Sequence, residues 1–329
     1  VTFKAYMIHQ EDGKVASRFV AMDEAQLDPG EVTIKVACSS VNYKDALAAT
    51  GAGRIIRRFP CVGGIDLAGT VTESGDARFV VGDEVIATSY DIGVARHGGY
   101  AELARVPADW ALKLPAGLSL REAMSLGTAG FTAGLAVVRM EHEGLKPANG
   151  PVIVSGATGG VGSIAVEILA KLGYDVVALT GKEQETDYLK GLGAKEVWLR
   201  QSLDLAKIKP LGGETWAGAV DNLGGDVLSW MASTMKVGGT LASIGLAAGF
   251  QFNTTVMPFI LRGVSLLGVD SVNCAMAQRA EVWRRLATDM KPPHLAALTR
   301  VIGFDELPNV FDDFLKARVR GRIVVNIAA

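Results

Sequence analysis

Four glycines in seven positions mark the chemistry open to this chain. The segment Val152-Ile153-Val154-Ser155-Gly156-Ala157-Thr158-Gly159-Gly160-Val161-Gly162-Ser163 reads as a buried strand, a tight turn and the start of a helix. In such a unit Gly156 makes the turn, Gly159 or Gly160 lets backbone approach a pyrophosphate, and Gly162 lets helix pack on strand. The free N–H groups and positive dipole end of the helix then hold the anion. Thr158, Gly159, Gly160, Val161 and Gly162 are the expected cofactor contacts. A tight turn without a ligand is the alternative, but it has no need of the backbone entropy that so many glycines cost.

The second strand bears on which dinucleotide is bound. NAD-specific folds place an acid on the ribose about 20 residues past the glycine motif. Here the strand ends Ala178-Leu179-Thr180-Gly181-Lys182, with Thr180 at the acid position and a cation following. Thr180, Gly181 and Lys182, with Arg200 after the third strand, suit a 2′-phosphate, which an acid would repel. Glu183 falls one turn late and reads as a first-turn helix acid. A solvated surface lysine is the plainer reading of Lys182. The expected cofactor is NADPH.

A parallel sheet has to position those residues. From Leu118 onward strands and helices alternate, after a capping box at Ser119 and Glu122. Strands at Pro151 to Ser155, Asp175 to Thr180, Glu196 to Leu199, Gly218 to Asp221, Thr240 to Gly245 and Val264 to Val269 are separated by helical stretches such as Val161 to Leu172. That alternation argues for helices on both faces of the sheet. Before Leu118 the chain is turn-rich and strand-like, with one helix near Asn42 to Thr50, which suggests a compact, mainly β domain. After Pro292-Pro293 the pattern reverts, with a helix near Leu307 to Ala317 and a closing strand, Arg322 to Ile327, that would return to the first domain.

Composition excludes several classes of function. Of 329 residues, 49% are hydrophobic, so disorder is not the main state. Thirty-three basic residues against 35 acidic ones, a net charge of −2 and 7% aromatics argue against nucleic acid or an anionic membrane as partner. Cys38, Cys61 and Cys274 are sparse and lack metal-ligand spacing, which points to free thiols in a reducing compartment and no structural zinc. Val1 to Gln10 lacks the regions of a signal peptide. Gly238 to Leu261 is uncharged but carries turn residues, so it reads as strand, loop and helix rather than a membrane span. The expectation is a soluble, cytoplasmic protein.

The glycine loop resembles that of the medium-chain dehydrogenase/reductase superfamily, quinone-reductase type. Ser39-Ser40-Val41-Asn42-Tyr43-Lys44-Asp45-Ala46-Leu47, Gly64-Ile65-Asp66-Leu67-Ala68-Gly69, Gly127-Thr128-Ala129-Gly130-Phe131 and Met257-Pro258-Phe259-Ile260-Leu261-Arg262 are similar to the acrylyl-CoA reductase family. The resemblance covers essentially the whole chain. It implies an α/β protein with a GroES-like, mainly-β catalytic domain (1–122 and 298–329) and a Rossmann domain with a doubly wound parallel sheet (123–297). It implies neither zinc nor flavin. It also implies that Leu246, Ile260 and Ser271 lie near the nicotinamide half, and that the Val264 to Val269 strand pairs across a two-fold axis in a homodimer. Zinc-dependent relatives carry a cysteine near Asn42 and Gly-His-Glu near Gly64. Asn42 and Gly64-Ile65-Asp66 offer neither thiolate nor imidazole, so no catalytic zinc site is expected.

NADPH without metal or flavin still delivers hydride to an electron-poor carbon, such as a C=C conjugated to a thioester. The site must then stabilise an enolate oxygen and protonate the α-carbon. Asn42 and Tyr43 are the candidate catalytic residues, Asn42 as an amide donor and Tyr43 as a phenol that orders nicotinamide and substrate. A loop-stabilising asparagine and a packing tyrosine are the alternatives, and Asp45 and Asp66 read as structural. Arg54, Arg57 and Arg58 suit coenzyme-A phosphates, or form a solvated basic loop. Arg262 and Arg322 are either structural or reach the cofactor, and Arg322 is counted with the cofactor contacts. The expected reaction is reduction of acrylyl-CoA to propanoyl-CoA. NADPH:quinone oxidoreduction is the alternative, and a non-catalytic NADPH-binding protein is a third reading.

Overall fold

The computed structural model describes residues 2–328. The chain opens with β1 (Thr2–Glu11), β2 (Lys14–Asp23), β3 (Val32–Val41), α1 (Tyr43–Thr50), β4 (Cys61–Val62), β5 (Asp66–Ser74), β6 (Glu84–Thr88), β7 (Leu103–Val106) and β8 (Ala111–Lys113). There follow α2 (Leu120–His142), β9 (Val152–Ser155), α3 (Gly160–Lys171), β10 (Val176–Thr180), α4 (Thr186–Gly191), β11 (Glu196–Leu199), β12 (Trp216–Asp221), α5 (Gly225–Thr234) and β13 (Met235–Ser243). The last elements are α6 (Met257–Arg262), β14 (Ser265–Gly268), α7 (Met276–Leu286), β15 (Thr299–Gly303), α8 (Phe311–Leu315) and β16 (Arg322–Asn326).

These elements form two compact units. The first takes the chain up to Thr128, Val272–Ala280, and the chain from Leu295 onward. Its larger sheet runs β15-β16-β3-β5-β6-β8, with β7 also on β3, and its smaller one runs β2-β1-β4. Val32, Ile34 and Val36 alternate inward from β3 into the core, and β16 pairs antiparallel with β3. Val272–Ala280 falls inside the span expected for the Rossmann domain but groups with the first unit. Arg279 Nη1 donates to Thr88 Oγ1 at 2.9 Å, and Cys274 O accepts from the Tyr90 hydroxyl at 3.2 Å.

The second unit comprises Ala129–Ser271 and Glu281–His294. Its parallel sheet runs β11-β10-β9-β12-β13-β14, so strand order reverses between β9 and β12. Near-continuous apolar strands, buried on both faces, explain the parallel arrangement: Ile153, Leu179, Ala219 and Leu241 are fully covered.

One segment differs from expectation in form. The stretch read as one helix near Leu307 to Ala317 is a 3-10 turn over Phe304–Asn309, with Pro308 inside, followed by the short α8. Proline removes the donor a continuous helix would need. Helix α2 is long and apolar enough to cross a membrane, yet 83% of its apolar window is buried and it breaks at Gly127 (φ 52°, ψ −155°), as suits a core helix.

Candidate functional site

In the second unit the carboxyl ends of β9 and β12 meet at the reversal of strand order, where a parallel sheet opens a crevice for ligands. β9 ends at Ser155, and Gly156 turns the chain at φ 57°. A Cβ on Gly162 would stand 2.3 Å from the Gly156 carbonyl oxygen, so only glycine lets α3 start this close to the strand. Gly159 precedes the helix and no side chain caps it among the described residues. The first-turn N–H groups therefore face outward as donors. Thr158 is buried within the turn, and Gly159, Gly160 and Val161 are half-buried. The arrangement fits a dinucleotide pyrophosphate.

β10 and β11 end in register, with Thr180 opposite Leu199. Arg200 is thereby brought beside Gly181, its Nη2 3.7 Å from the place a Cβ would occupy there. The Thr180 hydroxyl is buried and accepts from Lys182 N at 3.0 Å, so it shapes the turn. Glu183 begins a 3-10 turn and is exposed. The strand end thus gathers Thr180, Gly181, Lys182 and Arg200, with no acid at its tip.

Asn222, at the end of β12, escaped the sequence reading. Its Nδ2 donates to Ser155 O at 2.8 Å and its N–H to Ser155 Oγ at 2.9 Å. Its Oδ1 is buried without a partner among the described residues. The neighbouring Asp221 accepts from Ser155 Oγ at 2.7 Å and from Gly224 N at 2.7 Å. Burial pushes the Asp221 carboxyl above its usual range despite these donors. The available signal was an Asp-Asn pair closing a buried strand before Gly224-Gly225.

Leu246 follows the carboxyl end of β13 and is 67% exposed, and Ser271 follows β14 and is half-buried. Ile260 and Arg262 share one short helix, α6. Ile260 projects from it at 71% exposure, while Arg262 donates to Ser233 O, Met235 O and Gly212 O at the amino end of the sheet. Arg262 is structural.

The first unit holds a buried polar cluster where α1 begins. Asn42 Nδ2 donates to Asp66 Oδ2 at 2.8 Å and to Asp45 Oδ2 at 3.1 Å, while Asn42 Oδ1 accepts from Arg322 Nη1 at 3.2 Å. Both amide hydrogens are consumed, so the expected role of Asn42 as donor to a substrate oxygen is corrected: it organises the start of α1. Asp66 also accepts from Ser40 Oγ at 2.6 Å, Thr128 N at 2.9 Å and Thr128 Oγ1 at 2.5 Å. Asp45 accepts from Asn42 N at 2.8 Å and Ile65 N at 3.0 Å. Burial, then the neighbouring Asp66, pushes the Asp45 carboxyl up to about 7.

Arg322 is corrected as well. It is 2% exposed, and its Nε donates to Ser125 O at 3.0 Å, so it belongs to the interior of the first unit rather than to a cofactor surface. The residues do not fit zinc. An amide, a hydroxyl and a carboxylate already satisfied by four donors replace the thiolate and imidazole a zinc ion needs. Among the described residues no group of three His, Cys, Asp or Glu side chains could hold a metal ion.

Tyr43 occupies the first position of α1 and is 51% exposed, and its hydroxyl makes no hydrogen bond among the described residues. The three arginines separate. Arg58 grips Asp28 with Nη1 at 2.5 Å and Nη2 at 2.7 Å, and His97 N donates to the same carboxylate at 2.6 Å. Burial alone would raise Asp28, but these donors hold it below the usual carboxylate range. Arg57 pairs with Asp91, and Arg54 is exposed.

Residues 28–116 match the alcohol dehydrogenase GroES-like domain, and residues 160–289 match the zinc-binding dehydrogenase domain. The chain is 46% identical to the acrylyl-CoA reductase AcuI of Ruegeria pomeroyi, over 97% of each chain. It is 49% identical to YhfP of Bacillus subtilis, which carries a quinone oxidoreductase name, over 99% of each. Among solved structures, the yhdH oxidoreductase of Salmonella enterica in complex with NADP superposes with a TM-score of 0.96 at 48% identity, covering 98% of this chain and 99% of that one. Bacillus subtilis yhfP with NAD bound gives 0.97 at 48% identity, covering 99% and 100%.

Proposed function

Because the chain belongs to the medium-chain dehydrogenase/reductase superfamily, among its acrylyl-CoA reductase and quinone oxidoreductase relatives, we propose that it reduces the C=C bond of a short enoyl-CoA, acrylyl-CoA foremost, with NADPH. It is an oxidoreductase that uses a nicotinamide cofactor. The observation that carries the choice of substrate is the full-length likeness to an acrylyl-CoA reductase.

When bound, the reduced cofactor supplies the hydride that the β-carbon of the acceptor takes up. The N–H groups of Gly160, Val161 and Gly162 hold the pyrophosphate, and Lys182 with Arg200 holds the 2′-phosphate that distinguishes NADPH. Asn222 Oδ1 would accept from a hydroxyl or amide of the cofactor, satisfying an oxygen that has no partner among the described residues. Tyr43 donates to the thioester oxygen as negative charge gathers there. Asn42 acts through Tyr43: by tying Asp45 and Asp66 together it fixes the first turn of α1.

One observation favours reduction of a small quinone instead. Arg57 and Arg58 are engaged by Asp91 and Asp28, which leaves Arg54 of the three for a coenzyme-A phosphate. A quinone requires no such contact. We also place the protein in the cytoplasm as a homodimer. β14 is a sheet edge, and Leu266 on it is exposed, as are Ile260 and Leu261 on α6. Pairing of β14 with a second copy would cover that edge.

The deciding experiment follows NADPH oxidation with acrylyl-CoA and, separately, with benzoquinone. Turnover of acrylyl-CoA at low concentration with slow quinone reduction supports the enoyl-CoA reading. The reverse makes the chain a quinone reductase and leaves the arginine loop as structure and surface charge.

A further inference from the structure

Two consecutive residues other than glycine, Ser89 (φ 67°) and Tyr90 (φ 49°), hold left-handed backbone directly after β6. L-residues resist this conformation, and it persists only where the surroundings over-determine it. Here they do. Arg279 Cζ lies 4.6 Å from the Tyr90 ring centroid, and the same ring stacks on Trp110 at 5.2 Å and 7°. Arg96 Cζ lies 5.4 Å from the Trp110 ring. The Tyr90 hydroxyl donates to Cys274 O at 3.2 Å, while Arg279 donates to Thr88 Oγ1 at 2.9 Å and to Val272 O at 3.4 Å. Val272–Ala280 thus straps the turn down against β6.

The strain aims one hydroxyl. Ser89 is 3% exposed, its N–H donates to Ile65 O at 2.8 Å, and its Oγ lies 3.1 Å from Thr128 Oγ1. The Thr128 hydroxyl already commits its proton to Asp66 Oδ1 at 2.5 Å, so Ser89 is the donor in the Ser89–Thr128 bond. A chain of hydrogen bonds therefore runs from Ser89 through Thr128 and Asp66 to Asn42, which precedes α1 and Tyr43. We propose that Ser89 is a positioning residue for the reaction: held in strained backbone, its hydroxyl fixes Thr128 on Asp66 and so fixes the end of α1 that carries Tyr43. The catalytic consequence rests on the reading of Tyr43 given above. The structural link does not.

Ser89→Gly separates this from a merely structural role, because glycine relieves the left-handed strain while deleting the hydroxyl. The variant should melt at the parent temperature or above it, retain the parent KM for NADPH, and lose roughly tenfold in kcat on whichever acceptor the parent reduces. In a Thr128→Val background the same change should have no further effect on kcat, since the link is already cut. Parent kcat in Ser89→Gly overturns the proposal, as does an equal loss in both backgrounds. Hydrogen exchange at the Thr128 amide, which donates to Asp66 Oδ2 at 2.9 Å, gives a readout free of any acceptor. Faster exchange in Ser89→Gly supports the link even if the parent reduces neither acrylyl-CoA nor benzoquinone, in which case only the functional reading fails. Unchanged exchange overturns the link itself.

Discussion

The turn after β9 and the cluster around Asp66 are both built from polar groups at strand ends, and they treat those groups in opposite ways. In the second unit the turn leaves donors and an acceptor open: the first-turn N–H groups of α3, and Asn222 Oδ1. In the first unit Asp66 receives four donors and Asn42 spends its whole amide on its neighbours. A site built for a ligand keeps polar capacity in reserve, whereas the Asp66 carboxylate and the Asn42 amide are spent on order, with Arg322 Nη2 beside them buried without a hydrogen-bond partner among the described residues. The difference teaches why Asn42, with the right chemistry in the right loop, has no amide hydrogen left for a substrate oxygen.

The sharpest way to break this contrast is Asp66→Ala. It leaves Arg322 charged and buried beside orphaned donors, and should cost about 3–5 kcal/mol in urea denaturation, with NADPH affinity of the folded protein unchanged. A loss within about 0.5 kcal/mol, as at an ordinary surface site, would show that the cluster is not the anchor described.

Next comes the pH dependence. The Asp45 carboxyl is held at about 7, above its ordinary value of 3.8. The unfolded chain therefore releases this proton at lower pH than the native one. Stability associated with Asp45 is full below the unfolded value and drains away as pH rises from about 4 through about 7, at up to ~1.4 kcal/mol per pH unit. Asp221 and Glu167 are shifted in the same direction by burial, so the informative quantity is the difference between parent and Asp45→Asn. That difference should shrink by pH 7.5 relative to pH 4.5. A pH-independent difference would contradict the assignment.

In the second unit, Gly162→Ala drives a Cβ to 2.3 Å from the Gly156 carbonyl. It should cost about 1–3 kcal/mol of stability and at least roughly tenfold in NADPH affinity by fluorescence titration. The smallest effect belongs to the rim. Arg200→Ala should weaken NADPH about tenfold, or ~1.4 kcal/mol, and leave NADH unaffected. Equal weakening of both would remove Arg200 from the 2′-phosphate.

What could be read in advance followed the range of the forces. The β9–turn–α3 unit is contiguous, and its strand, glycines and helix were legible to within a residue or so: Val161 to Leu172 was expected, and α3 is Gly160–Lys171. The Ser119–Glu122 capping box is present, with Glu122 N donating to Ser119 Oγ at 3.2 Å. β5, Asp66–Ser74, has bounds that the sequence does not mark, because a buried aspartate at its start does not look like strand. For Asn42 and Arg322 the sequence offered a structural role as an alternative but could not choose it. The choice depends on Asp66, Ser125 and Thr128, distant in sequence and brought together only by the packed unit. Asn222 was missed because its meaning lies in Ser155, its neighbour across the reversed strand order.

The break in α2 carries a consequence for how such a chain can change over generations. A Cβ on Gly127 would meet Asp66 Oδ2, Ser40 Oγ and Arg322 Nη2, all within 2.8 Å. No single substitution there can be accommodated without displacing a buried charge or its partner. On the reading proposed for the cofactor site, single changes at Lys182 and Arg200 on the rim would alter the choice of dinucleotide without disturbing the core. A new arrangement around Asp66 would have to arrive through several changes at once, with each intermediate less stable than either end. Selection can adjust the rim freely while the buried cluster stays as it was inherited.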